Sequence, residues 1–248
     1  MLEALGNWME GNGESAHGTE KSPFSYNLPY GPTTYRTIEG KRHLYYHVLY
    51  WDKSGELWIP GVMNPAEEVK VSFLANPGIP VRVESRDSIG LYLSGLPAEA
   101  PDSLCSTLDI EFLTEPVLDE GIRFIGDTAR LEALGAKISS ISLGDWATHP
   151  ALLWYNGLPV KYKLIVPSEG DYDVSTELAA YFNGTVTFQF SDGTTLTGRN
   201  TVTPSGHATF QWQDMGTIHL QPGTYEITIS SQQEGSWLRV RQFRLIRR

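Results

Sequence analysis

Aromatic residues stand beside amides in parts of this sequence that lack the alternation of a strand. Trp146 and the pair Tyr155 and Asn156 lie in the Gly- and Pro-containing stretch 144–159, and Trp237 follows a separate turn. A flat ring can stack on the apolar face of a sugar while amides pair with its hydroxyls. Because the loops of a β-rich domain carry function, we predict that these four residues contact a sugar, with Asn156 as hydrogen-bond partner. The alternative is that they only pack.

Two other tryptophans are predicted to be structural. Trp154 sits at the edge of a strand pattern, where packing is expected. Trp212 alternates with Phe210 and Ala208, which places all three on one face of a strand. That face is interpreted as a core face.

The remaining reactive residues are dispersed and predict no catalytic group. The histidines form no metal-ligand motif, and His43 and His47 are about 13 Å apart if they share a strand. We therefore expect His47 to be a structural histidine. Asp171 and Asp173 could supply oxygens to a structural calcium, with a solvated turn as the alternative. No other cofactor is predicted.

Composition excludes several classes of partner. The net charge of −10 and the isoelectric point near 5.1 argue against nucleic acid, which requires clustered cations. No apolar run has the length of a membrane span. The single cysteine, Cys105, excludes an intrachain disulfide, and it leaves the cellular compartment open. Next to an apolar strand, it is expected to fill space in the core.

Period-two alternation dominates the chain and predicts an all-β fold of two antiparallel, jelly-roll-like β-sandwiches behind a short N-terminal helix. Short strands separated by Gly and Pro turns are typical of sandwiches. A shift of parity between Val240 and Phe243 predicts a bulge in the last strand. The polar stretch Glu115–Gly121 predicts the boundary, with one sandwich over 32–116 and the other over 121–248.

The first ten residues have helical rather than strand periodicity. Leu2, Leu5, Trp8 and Met9 fall on one helical face, and glycines follow at once. An apolar helical stripe must be buried, yet the rest of the chain reads as strand. We therefore expect the natural partner of this helix to lie outside the chain. Within this chain the helix must lie on the first sandwich, pair with a second copy or fray, and pairing or local disorder is expected.

Motifs along the first half of the chain resemble α-L-fucosidases of glycoside hydrolase family 29. The stretch 5–19 resembles the segment that closes the catalytic barrel of that family. Three further motifs of the family's C-terminal sandwich follow in the right order, namely Leu44-Tyr45-Tyr46-His47-Val48-Leu49-Tyr50-Trp51, Gly55-Glu56-Leu57-Trp58-Ile59-Pro60-Gly61 and Leu96-Pro97-Ala98-Glu99-Ala100-Pro101-Asp102. The resemblance implies that residues 1–31 are the helix and linker at the end of the barrel.

The second half resembles the galactose-binding-like carbohydrate-binding modules that are appended to such enzymes. The resemblance rests on Trp154, the strand 160–166, and the segments 216–220 and 222–227. It implies a glycan partner, fucosylated or galactosylated.

The resemblance implies a non-catalytic accessory role, because the family's two catalytic carboxylates belong to the barrel. The helical stripe would then contact that barrel or a second copy. A purely structural pair of sandwiches and one subunit of a split α-L-fucosidase are the alternatives. The compartment stays open, and a secreted or periplasmic parent enzyme is compatible with the resemblance.

Overall fold

The chain separates into two compact units, Met1–Glu120 and Gly121–Arg248. The structure is a computed structural model that describes residues 2–24, 28–51, 53–86, 90–133, 136–138, 144–145, 151–204, 209–235 and 237–248. The division follows Glu120, within the polar stretch where the sequence indicated a boundary. The segment 1–31 belongs to the first unit.

The first unit is a sandwich of two antiparallel sheets. One sheet has the strand order β1-β2-β7-β4 and the other the order β3-β6-β5. Side chains such as Leu44, Ile59 and Ile110, from three different strands, are fully buried in one shared core. The strands are β1 (Thr33–Ile38), β2 (Lys41–Val48), β3 (Glu56–Pro60), β4 (Val69–Phe73), β5 (Arg82–Arg86), β6 (Gly90–Ser94) and β7 (Ser106–Phe112).

Helix α1 (Leu2–Asn12) packs on this sandwich by its C-terminal half. The Trp8 indole Nε1 donates a hydrogen bond of 2.7 Å to the Cys105 carbonyl, and Asn12 is buried. At the outer end, Leu2 is 85% exposed and Leu5 is 50% exposed. The helical stripe is thus divided. Its inner half lies on the first sandwich, which was one of the alternatives, and not the expected pairing or disorder.

The second unit is a larger sandwich of two antiparallel sheets. One contains the path β10-β11-β18-β13-β16 with β8 also paired to β18, and the other has the order β15-β14-β17-β12-β9. The strands are β8 (Thr128–Glu132), β9 (Lys137–Ile138), β10 (Gly144–Asp145), β11 (Ala151–Tyr155), β12 (Val160–Val166), β13 (Gly170–Ala179), β14 (Gly184–Phe190), β15 (Thr195–Asn200), β16 (Gln211–Leu220), β17 (Gly223–Gln233) and β18 (Trp237–Arg247).

Phe243 is the centre of the second core. Its ring meets those of Trp154, Tyr162 and Phe188 at centroid distances of 5.7, 6.1 and 5.7 Å, each edge to face. Trp154 is fully buried and donates to the Leu158 carbonyl over 2.6 Å. The predicted structural role of Trp154 is confirmed.

Two β-bulges determine which side chains of β18 and β16 point toward this core and which point away from it. On β18, Gln242 is opposite Glu177 and Val240 is opposite Leu178, so Arg241 is the extra residue. This confirms the bulge that the sequence predicted between Val240 and Phe243.

The second bulge lies on β16, where Met215 is the extra residue because Gly216 is opposite Val174 and Asp214 is opposite Ser175. Beyond it the inward parity changes, from Ile218 and Leu220 to Met215. The prediction that Trp212 belongs to a core face is therefore wrong. Its side chain points away from the core and is 40% exposed.

The predicted fold class is confirmed. The structure is mostly β, with antiparallel sheets and one short N-terminal helix. Within the described ranges, no helix has the length and apolarity needed to cross a bilayer.

Candidate functional site

Four aromatic side chains gather at one end of the second unit, where β11, β13 and β18 meet their loops. Tyr155, the last residue of β11, is directly opposite Trp237, the first residue of β18. The Tyr181 ring meets the Trp237 ring edge to face at 6.0 Å, and Phe182 follows at 6.5 Å from Tyr181. Tyr181 and Phe182 are 45% and 41% exposed. We call Tyr155, Tyr181, Phe182 and Trp237 the aromatic loop cluster.

A buried amide pair holds the loop that carries two of these rings. Asn200 and Gln233 exchange side-chain hydrogen bonds of 2.9 Å in both directions, and both are buried. Asn200 also donates to the Phe182 carbonyl at 3.1 Å. The Phe182 ring lies over Gly235, where a Cβ atom would overlap it. These contacts fix the main chain under the exposed rings, so that little order must be gained when a ligand binds.

Asn156 has a structural role that the sequence did not predict. Its amide nitrogen donates to the carbonyls of Gln233 and Gly235, at 3.0 and 2.6 Å, and its oxygen accepts from the Gln233 main chain at 2.9 Å. The side chain therefore joins the turn after β11 to the turn before β18. Both of its amide hydrogens are used within the protein, so the proposed hydrogen bond from Asn156 to a sugar has no support from this geometry.

The predicted sugar-binding set is thus brought together in part. Tyr155 and Trp237 are register partners at strand ends, not in loops as predicted. Asn156 bonds to Gln233 and Gly235, just before β18, and Trp146 lies outside the described residues. The sequence analysis missed Tyr181 and Phe182. Two consecutive aromatics before the Asn183-Gly184 turn were the available signal, because strand parity cannot bury both.

A second surface lies on the face of β8, β18, β13 and β16 that points away from the core. Arg241 lies 3.9 Å from the centre of the Phe210 ring, with Arg239 at 5.3 Å from the same ring. Arg244 lies 4.0 Å from the centre of the Trp212 ring. We call this surface, defined by Arg130, Glu177, Phe210, Trp212, Arg239, Arg241 and Arg244, the arginine-rich face.

Asp171 and Asp173, which were predicted to offer oxygens to a calcium ion, both have partners within the second unit. Asp171 contacts the His219 ring nitrogen Nδ1 at 2.8 Å. Asp173 accepts from Thr217 at 2.7 Å and from Arg248 at 2.9 Å, and these bonds lower the pKa of Asp173, the one from Arg248 most. A cation would have to displace the guanidinium. Among the residues that the structure describes, no three His, Cys, Asp or Glu side chains gather as metal ligands.

In the first unit, the reactive groups have structural partners. His47 is buried and contacts the hydroxyls of Thr34 and Thr107 at 3.1 and 3.5 Å, which confirms its structural role. His43 contacts Asp109 at 2.9 Å. Burial raises the pKa of the Cys105 thiol to about 12, so this side chain is not a thiolate at neutral pH.

The whole chain shares its fold with a solved α-L-fucosidase from Vibrio sp. strain EJY3. The two are 16% identical with a TM-score of 0.55, over 100% of this chain and 44% of that one. At this identity the likeness shows the fold alone. The chain spans less than half the length of that enzyme. No protein-family model matches this sequence, and no curated protein matches it significantly.

Two solved carbohydrate-binding modules are similar to about half of the chain. One is the C-terminal CBM6 of LamC from Zobellia galactanivorans, 21% identical over 48% of this chain and 99% of that one, with a TM-score of 0.41. The other is CBM6cm-2 of Cellvibrio mixtus lichenase 5A, solved with cellotriose, 20% identical over 48% of this chain and 97% of that one, with a TM-score of 0.41.

Proposed function

We propose that this chain is a non-catalytic accessory region of an α-L-fucosidase-like glycoside hydrolase. The first unit would brace the catalytic barrel, and the second would bind a fucosylated or galactosylated glycan. The motif resemblance over roughly residues 5 to 113 and the fold shared with a fucosidase support this assignment.

The observation that carries the glycan-binding role is the aromatic loop cluster. Tyr181 and Phe182 are large apolar side chains left exposed at the tip of a sandwich, and Trp237 packs edge to face against Tyr181. An exposed ring on an immobilised loop offers a flat apolar surface to a pyranose. The hydrogen bonds that hold this loop are complete without a ligand. Packing within the protein therefore does not explain why the rings of Tyr181 and Phe182 are exposed.

Stacking on one or two rings with few hydrogen bonds gives modest affinity. We expect a dissociation constant of about 0.1 to 1 mM for a short oligosaccharide. Weak binding is sufficient for an accessory module, because a tether converts the second encounter with the glycan into an intramolecular one and raises its effective concentration.

The exposed end of α1 is the proposed contact with the catalytic barrel or with a second copy. Leu2 and Leu5 are exposed, and a groove of about 320 Å³ is lined by Ala4, Asn7 and Trp8 of the same helix together with residues 101–104. Light scattering of the isolated chain over a concentration series distinguishes these two possibilities, because the measured mass rises with concentration only if two copies associate.

Calorimetry with fucose, galactose and their oligosaccharides tests the glycan-binding role. We expect Tyr181→Ala to weaken binding about tenfold, the loss of roughly one stacking contact. Ile125→Ala is the control, since it removes an exposed apolar side chain of the second unit that lies in neither proposed site, and it should leave neutral-sugar binding unchanged.

Absence of binding at millimolar concentration would favour the purely structural alternative. Equal losses in the two variants would show that the cluster is not the site. Turnover of an aryl α-L-fucoside by this chain, above that of a heat-inactivated control, would contradict the non-catalytic assignment.

A further inference from the structure

The arginine-rich face places like charges directly opposite each other. Arg130 on β8 and Arg244 on β18 are register partners, so their Cα atoms are about 5 Å apart. Like charges in that position destabilise a sheet. Arg244 donates from Nε to the neutral Ser175 hydroxyl at 3.2 Å, and within the described part of the chain neither arginine forms an ion pair. Neither guanidinium has a carboxylate within ion-pair distance among the described residues.

The carboxylates nearby already have partners. Glu177 accepts from Arg241 at 3.2 Å and from the Gln242 amide at 2.9 Å, because the bulge puts both donors on the same side of β18. Asp214 accepts from the Gly216 main chain. Glu132, two residues from Arg130 on β8, interacts electrostatically with Arg130, but burial raises the pKa of Glu132 to about 7, so this carboxyl is only partly ionised at neutral pH. None of these side chains provides the full counter-charge of Arg130 and Arg244.

Two buried polar atoms on this face also have no hydrogen-bond partner. They are Nε of Arg241 and Oε1 of Gln242. Buried polar groups are nearly always paired in folded proteins, and exceptions are common where a ligand or ion completes the arrangement. Both atoms belong to the two residues of the bulge, at the centre of the face.

Aromatic rings give the face a second kind of contact. Phe210 lies just before β16, and Trp212 is the second residue of that strand. A guanidinium lies against each ring. A guanidinium that lies flat on a ring turns its N–H edge outward, where it can donate two parallel hydrogen bonds to an oxyanion. The surface can therefore bind a ligand that combines acidic groups with an apolar ring face.

We propose that Arg130 and Arg244, with Trp212 beside them, form a second glycan site whose ligand carries carboxylate or sulfate groups. The choice of a glycan as carrier rests on the proposed function. The acidic group would lie between the two guanidinium groups, and an adjacent sugar ring would pack on the exposed edge of Trp212. A long polyanion such as nucleic acid is disfavoured, because the chain as a whole has a net charge of −10.

Calorimetry of the full chain with three oligosaccharides of equal length tests this proposal. One is uncharged, one contains uronic acids and one is sulfated. We expect at least one acidic ligand to bind about tenfold more tightly than the uncharged one at roughly 50 mM salt, with most of the difference lost at about 500 mM. Comparison of the two acidic ligands identifies the group.

Arg244→Gln should weaken the acidic ligand about tenfold, as loss of one charge-assisted contact predicts. Arg199→Gln is the matched control, since Arg199 is an exposed arginine on β15 of the other sheet and the change in net charge is the same. Arg244→Lys keeps the positive charge but lacks the two parallel N–H donors of the guanidinium, so it should recover part of the affinity. Circular dichroism checks that each variant is folded.

The proposal is overturned if neither acidic ligand binds more tightly than the uncharged one, or if Arg199→Gln weakens binding as much as Arg244→Gln. A single-stranded oligonucleotide that binds as tightly as the acidic glycan would also overturn it. Tyr181→Ala separates the two proposals, because it should affect the uncharged ligand and leave the acidic one unchanged.

Discussion

The two sandwiches differ in where they keep their polar chemistry. In the first unit, His43 with Asp109 and His47 with two threonines are buried or nearly so, and they connect neighbouring strands. In the second unit, the amides Asn200 and Gln233 are buried and paired in the same way, but the core is centred on Phe243 and a group of arginines lies on the outer face of a sheet. Polar groups that satisfy one another inside a fold are committed to stability, whereas groups held at a surface remain able to bind.

The largest loss of stability should come from a substitution of Phe243, at the centre of the second core. Phe243→Ala removes a fully buried ring that contacts three others, and we expect a loss of about 3 to 5 kcal/mol in the free energy of unfolding. Trp212→Ala, on the opposite face of the same sheet, should lose less than about 1 kcal/mol. Urea unfolding, monitored by hydrogen exchange of β18 peptides, measures the loss in free energy of unfolding for each variant. Similar losses in the two variants would contradict the division between core and surface.

Glu132 is expected to make the second unit less stable as the pH rises. Burial is the main cause that raises the pKa of Glu132 from 4.5 to about 7; Arg130 opposes the shift, and Glu177 adds a smaller upward contribution. The folded state then binds more protons than the unfolded state between these two values, so stability falls as the pH rises from about 4.5 to about 7. The shift corresponds to at most roughly 3 kcal/mol.

Glu132→Gln should therefore flatten this dependence and raise the stability at pH 8. Denaturation of the second unit at a series of pH values between 5 and 8 measures the slope. Glu226→Gln is a control on the exposed side of β17. A slope that survives in Glu132→Gln assigns the pH dependence to another group.

His47 should give the first unit the opposite slope, with a smaller effect. Burial lowers the pKa of His47 below 6.5, and the backbone contact with Ser15 only partly opposes this. The unfolded state then binds more protons, so stability falls as the pH drops below about 6.5. Hydrogen exchange of β2 peptides between pH 7.5 and 5 measures it. His47→Gln should remove this dependence of stability on pH. A wild-type chain whose stability does not fall between pH 7.5 and 5 would contradict the prediction.

Much of the fold could be predicted because alternation is a local property. The strands of both units, the boundary stretch and the bulge before Phe243 are all visible in the parity of apolar residues. The wrong prediction for Trp212 also has its origin in the parity of apolar residues. Met215 is apolar and takes the inward position at the bulge, whereas the sequence analysis treated the positions up to Trp212 as one core face. Asp214 and Gly216 interrupt that alternation, and Gly216, with φ of 115°, was the available signal of a bulge.

The candidate sites were less accessible to sequence reasoning. The contact between Asn156 and the turn near Gly235 joins residues almost eighty positions apart, and Arg130 meets Arg244 only through the order of strands in a sheet. Residue type predicted that Tyr155 and Trp237 belong together at a loop end. It could not predict that Tyr181 and Phe182 complete the group, because that depends on which loops converge.

The extra residue at Met215 also has a consequence for how such a surface can arise. Within a strand, a substitution changes what a position carries but never which side it faces. One inserted codon shifts the phase of every residue beyond it and carries an aromatic such as Trp212 from the interior to the exterior in one event. In the genes of β-sandwich proteins, insertions and deletions of a single codon within a strand should therefore be examined as origins of new exposed faces, rather than only as damage.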